Sequence, residues 1–351
     1  MHPFDLMKTP RRTGKPVVAV TMGDPAGVGP EICLRLLGDP AVQETARCVV
    51  LGDVEILGRC AEAIGMGFSA TVWEEEALGG LRSAAGAFNG PGVVHFRGLN
   101  YQNFEPGIVN AETGRAAYRF IERSIGAALA GEVDAVVTGP IHKEALQAAG
   151  ISFPGHTEIF AAQTGAPRVC MFQYSAEVRA SFVTTHVGYG EVPSLLSVER
   201  ILDVVELTAE AMKRIRGRRP KIVVLGLNPH AGEHGLFGMR EEERVIEPAV
   251  RIARERGHDV EGPIPPDTAF IPAKRKSTDA FVCMYHDQGH IPLKALAFDS
   301  AVNVSLGLPI IRTSVDHGTA CDIAWKGVAN AGSLREAVRL AALLAVEDSA
   351  G

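Results

Sequence analysis

The chain has 351 residues, of which 46% are hydrophobic and 22% are charged, and its formal net charge is -6. This length is enough to bury a large core and favours two domains over one. The mild acidity argues against nucleic acid as a partner. The one dense basic stretch, residues 214–221, is interpreted as a solvated connection between two elements.

The first 16 residues are polar and lack the apolar segment of a signal peptide, so we expect a disordered leader. The six cysteines are scattered, without a CxxC pair. This pattern predicts a reducing, cytoplasmic location rather than a disulfide framework. No run of residues approaches the roughly 18 apolar positions that a membrane span needs. We therefore expect no membrane partner.

The first predicted strand covers residues 17–20 and is followed by a glycine-rich segment, TMGDPAGVGPE, that leads into a helix. A strand, a glycine-rich loop and a helix can present backbone N–H groups to an anion. The spacing is not GxGxxG, so a plain βα turn fits equally well. Further along, the pattern predicts a strand at 48–51, an amphipathic helix at 111–130 and a strand at 134–137.

The segment SFPGHTEIF places two polar side chains at the start of a predicted helix. Pro154 and Gly155 force a turn, and His156 and Thr157 follow it. Side chains in this position can hydrogen-bond an anionic substrate in the field of the helix dipole. The alternative is that Thr157 only caps the helix.

Three predicted strands are each followed by a histidine. Residues 181–185 lead to His186, residues 221–225 lead through GLNP to His230, and residues 280–284 lead to His286. Short apolar runs bounded by turn residues are typical of buried parallel strands. Ligands of open α/β sheets bind beyond the carboxyl ends of the strands. The pattern therefore predicts three imidazoles around one point, although any single histidine is more often a packed or surface residue.

Three neutral imidazoles leave a coordination position for substrate on a divalent metal. By softness this set suits Zn, Co or Ni, and Mg also remains open. Asp267 and Asp287 are candidate oxygen ligands or supports of the histidines. Lys294 and Arg312 would supply positive charge for a carboxylate or a phosphate. The residues alone predict a small, anionic, hydroxylated substrate.

The alternation of strands and helices, ending in a helix at 334–347, predicts an α/β fold with a mainly parallel sheet. Several segments also resemble the 4-hydroxythreonine-4-phosphate dehydrogenase (PdxA) family. They are MGDPAGVGPEI, TGPIHKEAL, FPGHTE, GLNPHAGEHGLFG, MYHDQGHIPLK and NVSLGLPIIRTSVDHGTA.

The resemblance implies a fold similar to isocitrate and isopropylmalate dehydrogenases, with two α/β domains and a cleft between them. It implies one catalytic unit at 17–351, with subdomains at 17–145 plus 290–351 and at 146–289. It also implies a homodimer with the active site at the interface.

Carried over residue by residue, the resemblance implies a metal held by His186, His230 and His286. It implies substrate-binding residues at His156, Thr157, Lys294, Asn303 and Arg312. Lys294 and Asp267 would be catalytic. NAD or NADP would be held by the loop HGTACDIAWKGVANAGS, through His317, Gly318, Thr319, Asp322 and Asn330. Trp325 stands in this loop where relatives usually carry glycine.

The implied reaction is NAD(P)-dependent oxidation of 4-hydroxy-L-threonine 4-phosphate at C3 with a divalent metal. Decarboxylation to 3-amino-2-oxopropyl phosphate would follow, in pyridoxal 5'-phosphate biosynthesis. The alternatives within the family are dehydrogenases of 4-phospho-D-threonate, of 4-phospho-D-erythronate or of an aromatic-acid dihydrodiol. Two other classes fit less well. The three histidines argue against a metal-independent acyl transferase of the phosphotransacetylase type, and a structural metal site at a dimer interface would leave the HGTA loop unexplained.

Overall fold

The computed structural model describes residues 14–86, 90–100, 104–298 and 300–346. Of the predicted leader, only Gly14, Lys15 and Pro16 fall within these ranges, so the expected disorder of residues 1–13 concerns residues outside the described part. Among the described residues, no helix is both long and apolar enough to cross a lipid bilayer.

The strands are β1 (Val17–Thr21), β2 (Arg47–Gly52), β3 (Thr71–Glu74), β4 (Gly92–His95), β5 (Ala135–Thr138), β6 (Cys170–Tyr174), β7 (Arg179–Phe182), β8 (Lys221–Leu225), β9 (Asp259–Ile264), β10 (Ala280–Cys283), β11 (Val302–Leu306) and β12 (Arg312–Val315). The helices are α1 (Gly29–Leu37), α2 (Pro40–Thr45), α3 (Val54–Ala63), α4 (Leu81–Gly86), α5 (Ala111–Leu129), α6 (Lys143–Ala148), α7 (His156–Thr164), α8 (Val192–Leu195), α9 (Val198–Arg216), α10 (Glu247–Glu255), α11 (Pro266–Ala269), α12 (Pro272–Ser277), α13 (His286–Ala297) and α14 (Gly332–Ala345).

The chain forms two compact units. Of the described residues, unit 1 comprises those within 14–167 and 308–346, and unit 2 comprises those within 168–307. In unit 1 the strands lie in the order β3-β4-β2-β1-β5-β12, and every pair is parallel. In unit 2 the order is β11-β6-β7-β10-β8-β9. There β6 is antiparallel to both neighbours and the other pairs are parallel. The predicted α/β class with a mainly parallel sheet is confirmed.

The central strands are buried along their length because helices cover both faces of such sheets. In unit 2, Phe182, Val223 and Phe281 belong to a buried apolar cluster beneath α13. Gly289 lets α13 approach this cluster, because a Cβ atom there would lie 2.7 Å from the Phe182 ring. A side chain at this position would force the helix away from β7. The close packing fixes the start of α13, where His286 lies.

Most element boundaries follow the sequence pattern. The helix predicted at 111–130 is α5, which begins with a capping box formed by Asn110 and Thr113. The strand predicted at 181–185 is shifted, since β7 covers Arg179–Phe182. The units also divide later in the chain than the subdomain boundaries that the resemblance implies. Helix α7 belongs to unit 1 because Gln163 donates a hydrogen bond to the Tyr118 hydroxyl of α5, at 2.9 Å.

Candidate active site

Three strands that precede the predicted metal ligands lie side by side in unit 2. β10 is the central one and pairs in parallel with β7 on one side and with β8 on the other. Their carboxyl ends therefore share one edge of the sheet, which is where α/β proteins bind ligands. His186 follows β7, His286 begins α13 after β10, and His230 follows β8.

The chain brings two of these three imidazoles together. The ring centroids of His186 and His286 are 5.9 Å apart. His230 instead lines a cleft of about 740 Å³ together with Glu243, Glu247 and Arg251. Within the ranges that the structure describes, no group of three or more His, Cys, Asp or Glu side chains is placed to hold a metal ion. The three-histidine metal site therefore stays a prediction.

The His286 ring is oriented by its neighbour. Its Nδ1 atom is 2.6 Å from Asp287 Oδ1, and the Tyr189 hydroxyl donates to the other carboxylate oxygen. These hydrogen bonds, from Tyr189 first and His286 second, lower the pKa of the Asp287 carboxyl. An ionised carboxylate can only accept, so the Nδ1 atom of His286 carries a proton, and Nε2 is the ring atom that a metal would bind. This is the arrangement in which histidines usually bind metals, and His286 fits the predicted role.

His290 belongs to the packing of the site. Its ring is buried and stacks on His286 at 3.8 Å and on Phe182 at 4.5 Å. Nδ1 is 3.0 Å from the His286 carbonyl oxygen, and Nε2 is 3.2 Å from the Gln173 amide nitrogen. Burial, followed by the charge of His286, lowers the pKa of His290 to about 4. The His290 ring is therefore neutral near pH 7, and it supports the His286 ring by stacking on it.

Gln288 has a structural role that the sequence did not indicate. Its side-chain oxygen accepts a hydrogen bond from Met284 N at 2.7 Å, and its amide nitrogen donates to the Gly226 carbonyl at 2.8 Å. Met284 follows β10 and Gly226 follows β8, so one buried amide ties two strand ends. The only signal in the sequence was a polar residue between two histidines, which is equally typical of a ligand.

The turn that carries His230 has an unusual backbone. His230, Ala231, Glu233 and His234 have φ angles of 53°, 53°, 41° and 57°. Left-handed backbone costs L-residues roughly 1–2 kcal/mol each. Such strain persists only when surrounding contacts impose it, and it is concentrated at functional sites.

In unit 1, α7 begins at His156, and its N-cap position is Gly155 without a side-chain cap. Thr157 lies one residue further, in the first turn, so the observed helix start does not use it as the N-cap. Burial, followed by the charge of Arg312, holds the pKa of His156 well below its usual range. Its Nε2 atom is buried and has no hydrogen-bond partner among the described residues. A neutral imidazole is thus presented next to a cation at a helix N-terminus.

Arg312 is the cation of this pocket, and its side chain is only 2% exposed. Nη2 donates to the Thr138 hydroxyl at 2.7 Å, and the guanidinium carbon lies 5.5 Å from the Phe160 ring centroid. Burial lowers the pKa of Arg312 to about 9, and the charge of Glu158 opposes that shift. The group remains charged at neutral pH. A buried guanidinium beside a neutral imidazole suits a phosphate or a carboxylate.

The other predicted substrate and catalytic residues lie in unit 2. Lys294 is exposed on α13, and its charge contributes to the lowered pKa of His290. Asn303 lies on β11 with its Oδ1 atom buried and without a hydrogen-bond partner in the described part of the chain. Asp267 is exposed on α11. Their roles stay predictions.

The loop predicted to hold the dinucleotide follows β12 and packs on the glycine-rich loop after β1. Val28 N donates to the Thr319 carbonyl at 2.9 Å, and a Cβ atom at Gly27 would lie 2.8 Å from Thr319. The buried Glu31 carboxylate accepts hydrogen bonds from Gly327 N and Ala329 N. Close backbone packing is therefore one physical reason for glycine at position 27.

The predicted contacts within this loop differ in exposure. Gly318, Asp322 and Asn330 are exposed, His317 is half-buried, and Thr319 is buried. Trp325 has a φ angle of 59° and packs against Phe104 at 5.3 Å. The structure contains these residues in one loop, but their contacts with a dinucleotide stay predictions.

The family model of the pyridoxal phosphate biosynthetic protein PdxA matches residues 44–341. The 4-hydroxythreonine-4-phosphate dehydrogenase of Geobacter metallireducens is 43% identical, over 96% of this chain and 98% of that protein. The chain belongs to the PdxA family.

A second relative of this PdxA-family chain is the D-threonate 4-phosphate dehydrogenase of Cupriavidus necator. It is also 43% identical, over 94% of this chain and 97% of that protein. The crystal structure of a 4-hydroxythreonine-4-phosphate dehydrogenase from Burkholderia phymatum superposes with a TM-score of 0.80 at 41% identity. The match covers 96% of this chain and 100% of that one. The predicted family and the predicted oxidoreductase class are confirmed.

Proposed function

We propose that this PdxA-family oxidoreductase oxidises 4-hydroxy-L-threonine 4-phosphate, in pyridoxal 5'-phosphate biosynthesis. The observation that carries the proposal is the buried Arg312 guanidinium beside the neutral His156 ring. The guanidinium donates to Thr138 and feels the charge of Glu158, and an anionic group of the substrate would bind beside it and the His156 ring. The relative in Geobacter metallireducens is named for this substrate.

The residues of unit 1 would bind the anionic end of the substrate. Arg312 can donate two parallel hydrogen bonds to a phosphate or carboxylate. The Thr157 hydroxyl would donate a hydrogen bond to it at the N-terminus of α7, where the helix dipole favours negative charge. The Nε2 atom of the neutral His156 ring would accept a hydrogen bond from a hydroxyl group of the substrate. Lys294 and Asn303 are the other residues that we propose bind the substrate.

The proposed reaction oxidises the C3 hydroxyl to a ketone, and the β-keto acid then loses its carboxyl group as CO2. The electron pair left by the departing carboxyl group delocalises into the ketone, and protonation at C2 gives 3-amino-2-oxopropyl phosphate. A divalent metal (Zn, Co or Mg) held by His186, His230 and His286 would supply Lewis-acid polarisation, and NAD or NADP would accept the electrons. Asp267 and Lys294 would act in proton transfer.

The dinucleotide would lie on the loop after β12. His317, Gly318, Thr319, Asp322 and Asn330 would contact it. The buried His317 Nε2 and Trp325 Nε1 atoms, which have no hydrogen-bond partners among the described residues, support a ligand at this loop.

A homodimer with the active site at its interface is also part of the proposal. In one chain the rings of His186 and His286 are 5.9 Å apart, and no group of three metal-binding side chains is found among the described residues. A two-fold interface can bring a third ring from a second copy. Unit 2 also exposes large apolar side chains that an interface would cover, at Leu236, Met239, Ile291 and Phe298.

D-threonate 4-phosphate is the second candidate substrate, since the relative in Cupriavidus necator is as similar as the first. The two compounds share the C3 hydroxyl and the 4-phosphate and differ at C2, where an ammonium group is replaced by a hydroxyl. The pocket around Arg312 and His156 is suited to the anionic groups that both compounds share.

A substrate panel tests the proposal. The purified protein is stripped of metal by chelation and supplied with Zn, Co or Mg and with NAD or NADP. The panel contains 4-hydroxy-L-threonine 4-phosphate, 4-phospho-D-threonate, 4-phospho-D-erythronate and an aromatic-acid dihydrodiol. Metal-dependent formation of reduced nucleotide with the first compound is expected. Turnover with only one of the other compounds would contradict the proposed substrate and identify that compound in its place. Turnover without added metal would contradict the proposed metal dependence.

A further inference from the structure

The buried carboxylate of Glu242 lies beneath the segment that carries His230. Its side chain is 1% exposed. Oε1 accepts hydrogen bonds from Leu227 N at 2.9 Å and Asn228 N at 2.8 Å, and Oε2 accepts one from Asn228 Nδ2 at 3.0 Å. One carboxylate thus satisfies three donors immediately before the left-handed turn.

The same carboxylate also touches the glycines on either side of His230. A Cβ atom at Gly226 would lie 3.2 Å from Oε1, and one at Gly232 would lie 2.5 Å from Oε2. Gly232 has a φ angle of 79°, which side chains rarely adopt. The segment 226–232 therefore wraps closely around the Glu242 carboxylate.

Glu241 strengthens this arrangement from the other side. Its Oε2 atom accepts hydrogen bonds from Asn228 Nδ2 at 2.9 Å and from Met239 N at 2.8 Å. Asn228 is consequently held by two carboxylates, and its carbonyl accepts the hydrogen bond of Ala231 N at 3.1 Å. The contacts reach both ends of the left-handed turn.

The contacts of Glu242 account for a backbone that the turn does not adopt on its own. Four consecutive or near-consecutive L-residues in left-handed conformation need an external constraint. Hydrogen bonds to a charged acceptor are the strongest that a side chain offers to backbone N–H groups. The strained turn exposes His230 at its first residue.

We propose that Glu242, assisted by Glu241, is a positioning residue that holds His230 in its metal-binding conformation. This inference rests on the proposed function, in which His230 is a metal ligand. The proposed role of Glu242 is to fix the backbone on which His230 lies, not to serve as a metal ligand. Partners that orient metal ligands usually change metal affinity by about 10–100-fold when they are replaced.

Glu206 provides a matched control in the same unit. It is also buried, at 9% exposed, and its carboxylate accepts hydrogen bonds from Arg256 at 2.6 Å and Arg168 at 3.2 Å. These partners lie outside the segment 226–239. Replacing Glu206 removes a buried carboxylate of the same size without touching the histidine turn.

The experiment compares Glu242→Gln with Glu206→Gln, because both substitutions keep the side-chain shape. Both carboxylate oxygens of Glu242 accept hydrogen bonds from N–H groups. In either orientation, the NH2 group of a glutamine amide would face one of these N–H groups, and that hydrogen bond would be lost. We expect Glu242→Gln to weaken Co²⁺ binding by at least about 10-fold in calorimetric titration of the chelated full-length protein. We expect Glu206→Gln to lower the Tm but to leave the Co²⁺ affinity unchanged.

A second measurement is independent of the metal. Hydrogen exchange of the apo protein should become faster in residues 227–237 of Glu242→Gln and remain at the wild-type rate there in Glu206→Gln. If Glu242→Gln keeps both the Co²⁺ affinity and the hydrogen-exchange rates of the wild-type protein, the inference about Glu242 is overturned and the proposed function is unaffected. Failure of the wild-type protein to bind Co²⁺ would overturn the proposed function and this inference with it.

Discussion

A single chain assembles the predicted anion pocket of unit 1 more completely than the predicted metal site at the strand ends of unit 2. In unit 1, Arg312 is buried, hydrogen-bonded to Thr138 and close to the neutral His156. In unit 2, the rings of His186 and His286 are 5.9 Å apart, and His230 lines a cleft with Glu243 and Glu247. An anion pocket needs only a fixed cation and donors, which one fold can bury. A three-ligand metal site needs three converging lone pairs, and among the described residues no group of three such side chains is placed to hold a metal ion.

The largest effect is expected from Arg312→Met. Loss of a buried charge that pairs with the substrate should lower kcat/KM by roughly 10²–10³-fold. The Tm should stay unchanged or rise, because burial of this guanidinium is unfavourable, as its lowered pKa indicates. Steady-state kinetics and thermal unfolding measure the two effects. Arg82→Met is the control. Arg82 Nη2 lies 2.8 Å from Asp134 Oδ1 in the same unit, and its replacement should lower the Tm without changing kcat/KM.

The incomplete metal site of unit 2 can be tested by complementation. His230→Ala and His286→Ala should each be nearly inactive as homodimers. If ligands are shared across the interface, a refolded equimolar mixture should recover about one quarter of wild-type activity, because half of the dimers then contain one intact site of two. Activity that stays at the level of the single variants would show that each site uses the ligands of one chain, which would contradict the shared interface.

A smaller effect is expected at the buried tie between the two strand ends in unit 2. Gln288→Met would leave Met284 N and the Gly226 carbonyl without their present partner, at a cost of about 1–3 kcal/mol in the free energy of unfolding. Urea titration measures this loss, and metal titration of the same variant should show weaker binding. A variant as stable as the wild type would show that the tie does not constrain these strand ends.

The smallest expected effect is on the stability of the two units at acidic pH. Burial alone would raise the pKa of Asp279 in unit 2, but hydrogen bonds from Arg218 and Lys221 N outweigh it and lower the pKa. Its stabilising contribution is present above the unfolded pKa, near 4, and is lost as the pH falls through the lower folded value. In unit 1 burial raises the pKa of Asp24, so stability is gained there as the pH falls through the raised value.

Hydrogen exchange between pH 6 and pH 3 should therefore show unit 2 losing protection before unit 1. In Asp279→Asn the free energy of unfolding should fall less steeply as the pH decreases through the acid range. Equal loss of protection in the two units, or an unchanged slope in the variant, would contradict this difference.

Much of the fold followed from local pattern. The run KIVVL predicts β8 as observed, and the amphipathic stretch at 111–130 corresponds to α5. His186, His230 and His286 were placed after strands from the sequence, and all three positions are confirmed as strand ends or the residues beyond them. The grouping of their rings was not predictable in the same way, because His230 is carried by a left-handed turn that no hydropathy pattern indicates.

The sequence by itself determined which segments are strands and helices, where the histidines and Arg312 lie along them, and which family the motifs resemble. These features depend on residues close together in the chain. The tertiary structure decided that β7, β10 and β8 are neighbours, that His290 is a packed neutral ring and that Gln288 joins two strand ends. It also buried Glu242 beneath the turn of His230. These features depend on burial and hydrogen bonds between segments far apart in sequence, whose partners only the folded chain brings into contact.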